Sequence, residues 1–129
     1  MKLSDAIRLG SKLTPQAWSR LKSKHGGTCA LGAALEGIEY DFDISIKDTF
    51  ESYWSKLIKA AEYIDGRWPE VINTVVLCPL CPEKSGFLTE TITHLNDDHR
   101  VTRERIAEWI DSLTEKKEEK VQMANATAV

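Results

Sequence analysis

No run of apolar residues in this 129-residue chain reaches the length of a signal-peptide core or a membrane span, which points to an intracellular, cytoplasmic protein. Cysteine is scarce and odd in number, at three, so the chain holds no self-contained disulfide framework. Metal binding, catalysis or plain burial remain as uses for those thiols. No charge of one sign dominates: 17 Lys and Arg face 20 Asp and Glu, a formal net charge of −3. A global attraction to phosphate backbones is thereby excluded. The chain also lacks a Walker loop, a dinucleotide-binding glycine pattern, any Ser-His-Asp ordering and any internal repeat. The sequence thus offers no convincing catalytic constellation and no small-molecule substrate site.

What is present describes an ordinary globular domain. Apolar residues make up 42% and charged residues 29% of the chain, enough for one real core at this length. Charge is unevenly spread. Residues 1–27 hold six Lys/Arg and one Asp, a balance of +5, whereas residues 36–51 hold six Asp/Glu and one Lys, a balance of −5. These segments either attract each other within the fold, face partners, or form ordinary solvated surface.

Periodicity predicts a mainly α protein: a single compact helical domain over residues 1–114 with a small β/zinc-knuckle element. The knuckle and the last two helices occupy 75–114. Ser4 reads as the cap of a first helix carrying Leu3, Ala6, Ile7 and Gly10. Thr14-Pro15 reads as the start of a second, with Ala17, Trp18 and Leu21 on one face. Gly26-Gly27 breaks the chain, and Thr28 restarts it into the small-residue run Cys29 to Leu35, suited to close helix approach. Residues 37–48 read as an acidic loop. A helix is expected from Thr49 to Ile64, on the stripe Phe50, Tyr53, Trp54, Leu57, Ala61 and Ile64. Trp68-Pro69 opens a further turn, and Val75–Leu77 is a β-branched run into Cys78. A helix follows over 88–96 with Leu88, Ile92 and Leu95 inward, ended by Asn96-Asp97-Asp98. Thr102 caps the last helix, which carries Ile106, Trp109, Ile110 and Leu113. Residues 115–129 read as a flexible polar tail.

Four side chains stand out. Cys78 and Cys81 are two residues apart, twelve residues intervene before His94, and four lie between His94 and His99. That spacing suits two thiolates and two imidazoles closing a tetrahedron around Zn²⁺. Of six cysteines and histidines in the chain, four fall into this register. Pro79 and Pro82 stiffen the Cys-x-x-Cys turn. Residues five apart on a regular helix point about 140° away from each other. His99 therefore joins His94 only if the helix unwinds, and Asn96-Asp97-Asp98 suits that break. Asp98 or His25 are alternative fourth ligands. Four protein ligands make a closed, structural site. Cys29, far from the motif, reads as a core thiol.

The spacing resembles that of C2H2 zinc fingers over residues 78–99. Where such fingers place an aromatic and a leucine, this chain has Ser85 and Thr91, with Phe87 and Ile92 out of register. The stretch Leu88-Thr89-Glu90-Thr91-Ile92-Thr93 also lacks the basic and amide side chains that read base edges. A different nucleic-acid reading sets Arg100, Arg103 and Arg105 of the last two helices on phosphates, amid Glu104, Glu108 and Asp111. The string His94 to Arg100 contains residue types used by HNH nucleases, but histidines that hold a structural ion are not free for that chemistry.

Cys29-Ala-Leu-Gly-Ala-Ala-Leu35, His94-Leu-Asn-Asp-Asp-His-Arg100 and Thr102–Trp109 together resemble a family of small uncharacterised bacterial and phage proteins. The similarity extends to Leu3–Arg8 and Cys78–Cys81. It implies a shared helical fold in which Cys29 and Asn96-Asp97 serve the core and zinc is an added staple. The expected role is that of a small zinc-stabilised adaptor or regulatory protein, phage-derived, acting on a macromolecular and most simply a protein partner. A nucleic-acid-binding transcriptional regulator is the alternative, and a metal-dependent nuclease the more distant one.

Overall fold

The chain enters its first helix with no side-chain cap. In the computed structural model, which describes residues 1–18, 26–46, 52–64, 74–81 and 83–113, helix α1 spans Leu3–Leu13 and Lys2 occupies the cap position. Ser4 does not cap it. It lies buried within the first turn, and its hydroxyl donates to Asp111 from the far end of the chain. The apolar side of α1 is Leu3, Ala6, Ile7 and Gly10, the face its periodicity predicts.

Thr14-Pro15 closes a helix rather than opening one. The Thr14 N–H and hydroxyl both donate to the Gly10 carbonyl, and Thr14 itself is extended at φ −138°, ψ 148°, as a residue before proline prefers. The next residues pair as a strand-like bridge: Ala17 N–H donates to Thr28 O and Thr28 N–H to Pro15 O, both at 2.8 Å. Pairing with Thr28 thus displaces the expected helix, of which Leu21 lies outside the described residues.

Helix α2, Ala30–Phe42, starts one residue beyond Cys29, whose sulfur accepts from Gly32 N–H. It runs well into the segment expected to be a loop. The acids there sit on the helix's outer side while Ile38 stays buried, so 37–42 is amphipathic helix. Asp43, in the left-handed region at φ 52°, ends it. The small residues do what their size allows. A methyl group on Gly10 would lie 1.7 Å from the Ala33 carbonyl oxygen, and one on Gly37 would lie 2.2 Å from that of Ala6. Only glycine lets α1 and α2 approach this closely.

Helix α3, Tyr53–Ala61, is capped by Ser52, whose hydroxyl accepts from Ser55 N–H, and turns Leu57 and Ala60 inward, with Ile64 buried just beyond its end. Thr49, Phe50, the Trp68-Pro69 turn, His25 and the tail lie outside the described residues. Strands β1, Val75–Leu77, and β2, Ser85–Phe87, form an antiparallel pair with Val75 opposite Phe87 and Leu77 opposite Ser85. Helix α4, Leu88–Asp97, follows without a break, and helix α5 covers 103–113. Thr102 caps α5 as expected, accepting from Arg105 N–H. The architecture is mainly α with one small two-stranded sheet.

One core runs through all the helices, with Leu3, Ile7, Leu31, Ile38, Leu57, Ile92, Leu95 and Ile106 at its centre. Asn96 lies inside that core, fully buried. Helix α4 ends at Asp97 with Asp98 as its C-cap, within the expected Asn96-Asp97-Asp98 stop. The Asn96 side-chain oxygen accepts from Ala30 N–H, an orphan donor at the start of α2, and from Gln16, while its amide donates to Ala17 O. The basic end of the chain answers α5 rather than the acidic 36–51 segment at Arg8, which reaches Asp5, Glu104 and Asp111.

Candidate metal centre

The hairpin and α4 bring the four predicted ligands together. Cys78 N–H donates to Lys84 O and Lys84 N–H to Cys81 O, which folds the Cys-x-x-Cys turn back between the strands. Both sulfurs then face the last turns of α4. Cys78 is buried in the core, and Cys81, His94 and His99 are half-buried.

His99 reaches the site because the helix end widens. Asp98 N–H donates to His94 O as in an α-helix, but His99 N–H also reaches back five residues to His94 O, and Val101 N–H reaches back six to Leu95 O. Arg100 at φ 55° turns the chain out of the helix. The expected unwinding therefore occurs, beginning within Asn96-Asp97-Asp98 and completed at Arg100.

One donor atom from each of Cys78, Cys81, His94 and His99 lies within 4.8 Å of all the others. The Cys81 sulfur is 3.2 Å from His94 Nε2 and 3.5 Å from His99 Nε2, and the two Nε2 atoms are 3.0 Å apart. The imidazole planes cross at 83°. A tetrahedral zinc site has N···N edges of about 3.3 Å and S···N edges of about 3.6 Å. The three edges among Cys81, His94 and His99 are thus each slightly shorter than those of a tetrahedral shell, Cys78 completes the set within 4.8 Å, and the chemistry of the donors fits a metal ion.

Electrostatics point the same way. His94 Nδ1 lies 2.6 Å from Asp98 Oδ2, and that bond to the imidazole holds the Asp98 carboxyl below its usual range. A proton on Nδ1 leaves the Nε2 lone pair directed at the other donors. Desolvation, with the neighbouring Cys78, pushes the Cys81 thiol up. Two thiolates side by side are unfavourable, and a cation between them relieves the repulsion. Asp98, an alternative ligand from spacing alone, sits on the far nitrogen of His94. Its position four residues on, one helical turn away, is the signal that marks this arrangement.

The three arginines expected on phosphates separate. Arg103 is 7% exposed, and its guanidinium donates to the Thr14 and Thr28 hydroxyls and to the carbonyls of Ser11, Thr14 and Pro15. It ties the end of α1 to the bridge and is not available to phosphate. Arg105 is exposed, and the exposed Arg100 guanidinium lies 4.4 Å over the Trp18 ring. Cys29 is the core thiol it was expected to be, its pKa raised by burial.

Fold and site together define a mainly α-helical protein whose ββα unit carries a Cys2His2 cluster able to hold a metal ion. No protein-family model matches the chain, and neither the curated proteins nor the solved structures contain a match to it. No helix among the described residues is long and apolar enough to cross a membrane.

Proposed function

We propose that Cys78, Cys81, His94 and His99 bind one structural Zn²⁺, and that the protein is a small zinc-stabilised adaptor or regulatory protein of the cytoplasm. The observation that carries this reading is the convergence of four donors within 4.8 Å of one another. Four protein ligands leave no open position for a substrate, and two thiolates with two imidazoles favour zinc over the oxygen-seeking cations. Thiolate ligation also suits a reducing compartment. Kinship with small bacterial and phage proteins belongs to the same proposal.

A role in binding is supported by the outer side of the hairpin. Val75, Leu77, Leu80 and Phe87 are 63%, 58%, 57% and 45% exposed, a concentration of large apolar groups on one small unit. Helix α4 carries no Lys or Arg and buries Thr89 and Thr91, so a protein partner is favoured over base readout.

Elemental analysis of the purified chain tests the metal: one zinc per chain is expected, and its absence after growth in zinc-replete medium sinks the reading. Titration with generic duplex DNA tests the partner class. No binding at low salt is expected, whereas binding that falls steeply with salt favours the nucleic-acid regulator. His99→Ala should lose stability before anything else. Mg²⁺-dependent cleavage abolished by His99→Ala in a folded protein would point to a nuclease instead.

A further inference from the structure

We infer that Asp98 is a positioning residue of the metal centre, holding a proton on His94 Nδ1 so that Nε2 is presented to the ion. The inference rests on the metal reading above. Two groups compete for His94 Nδ1: Asp98 Oδ2 at 2.6 Å and the Lys84 ammonium at 3.4 Å. They demand opposite tautomers. A carboxylate only accepts, so it requires the proton on Nδ1; an ammonium only donates, so it requires the proton on Nε2. In the second tautomer Nε2 cannot coordinate. A separation of 2.6 Å is that of a charge-assisted bond, while 3.4 Å lies at the weak limit. The carboxylate wins, and Lys84 is left as a cation beside the His94–Asp98 pair.

The placement of Asp98 has no other evident use. Its side chain is 64% exposed and fills no core position. It also stands at the C-cap of α4, the negative end of the helix dipole, where an acid is unfavourable. On packing and dipole grounds alone, removing it costs nothing. A carboxylate behind a ligating imidazole, by contrast, fixes the ring's orientation and raises its basicity, and its loss weakens metal affinity by about 10- to 100-fold.

The test uses the full chain and competition for Zn²⁺ against a chromophoric chelator. Asp98→Ala should bind zinc about 10- to 100-fold more weakly, Asp98→Glu should recover much of that loss, and Lys84→Ala should stay within about threefold of wild type. In the zinc-loaded wild type, a slowly exchanging imidazole N–H resonance is expected from His94. It should vanish in Asp98→Ala while the His99 resonances keep their shifts, which a purely structural role would not produce. Equal affinity of Asp98→Ala and wild type, or a larger loss in Lys84→Ala, overturns the role of Asp98 and leaves the metal site standing. A wild type that takes up no zinc overturns the metal reading first.

Discussion

Arg103 is the buried cation that ties the end of α1 to Thr28. A guanidinium is desolvated at a cost, which lowers its pKa here, and it is offset by five bonds to hydroxyl and carbonyl oxygens. The carbonyls of Ser11 and Thr14 belong to the end of α1, where a cation also meets the negative pole of the helix. Arg103→Ala leaves those oxygens without a donor and should destabilise the fold by about 2–4 kcal/mol in urea denaturation. Arg103→Lys, a single ammonium in place of a planar fork, should recover only part of the loss. If Arg103→Ala unfolds at the wild-type midpoint, the guanidinium is not the tie described here. A second residue-scale effect concerns acid. Burial pushes the Asp111 carboxyl up, but bonds from Ser4 and Arg8 outweigh it and leave the group below its ordinary value. A carboxylate with a lowered folded pKa contributes stability above its unfolded value, about 3.9, and loses it as pH falls through the folded one. Asp111→Asn should therefore flatten the decline of the urea midpoint between about pH 5 and pH 2 while lowering it at neutral pH. The exposure of the cluster keeps the effect modest.

Among the elements, the α1–α2 pair makes the sharpest demand on sequence. Alanine is the better helix former by about 1 kcal/mol, so Gly→Ala in an exposed helix stabilises. At Gly10 the sign should reverse, because the added methyl would meet the Ala33 backbone at 1.7 Å and the helices must separate. Gly10→Ala and Gly37→Ala should each lower stability by about 1–3 kcal/mol, and a rise in Tm for either would contradict this packing. The run from Cys29 to Leu35 made that closeness legible, since small side chains leave little else to do. Local signals also placed the Thr102 cap, the Val75–Leu77 strand and the stripe Leu88, Ile92, Leu95. Elsewhere the decisive force was not local. Pro15 suits the first turn of a helix, yet pairing of Ala17 with Thr28 outweighed the expected stripe of Ala17, Trp18 and Leu21 at its described end. The acids of 37–42 look like a loop until Ile38 is seen to face the core. Arg103 was read as surface because the carbonyls that satisfy it come from a segment about 90 residues away, which spacing along the chain cannot reveal.

At the scale of the whole molecule, the question is whether the metal staples a hairpin onto a finished fold or completes the fold itself. The four ligand positions were legible because a tetrahedral site constrains spacing within about twenty residues. Their depth was not. Cys78 packs in the same core as Ile7 and Leu31, and the helix that carries His94 and leads into His99 also sends Leu88, Ile92, Leu95 and Asn96 into it. Asn96 in turn holds the first N–H of α2 and the carbonyl of Ala17 in the extended segment that follows α1. An opened α4 would strip apolar cover from the core and leave the Ala30 N–H and the Ala17 carbonyl buried without a partner. Closing such a site contributes on the order of 10 kcal/mol of apparent binding energy, about the net stability of a whole domain. Chelation should therefore lower Tm by about 10 °C or more, in one transition seen alike by far-UV circular dichroism and tryptophan fluorescence. Thiol labelling should follow the same order: Cys78 and Cys81 react once metal is removed, and Cys29, buried with its pKa raised, reacts only as the chain unfolds. A chelated protein that keeps its helical signal and Tm while those two thiols become reactive would mean that the site fastens only the hairpin, and that the core of α1, α2, α4 and α5 stands without it.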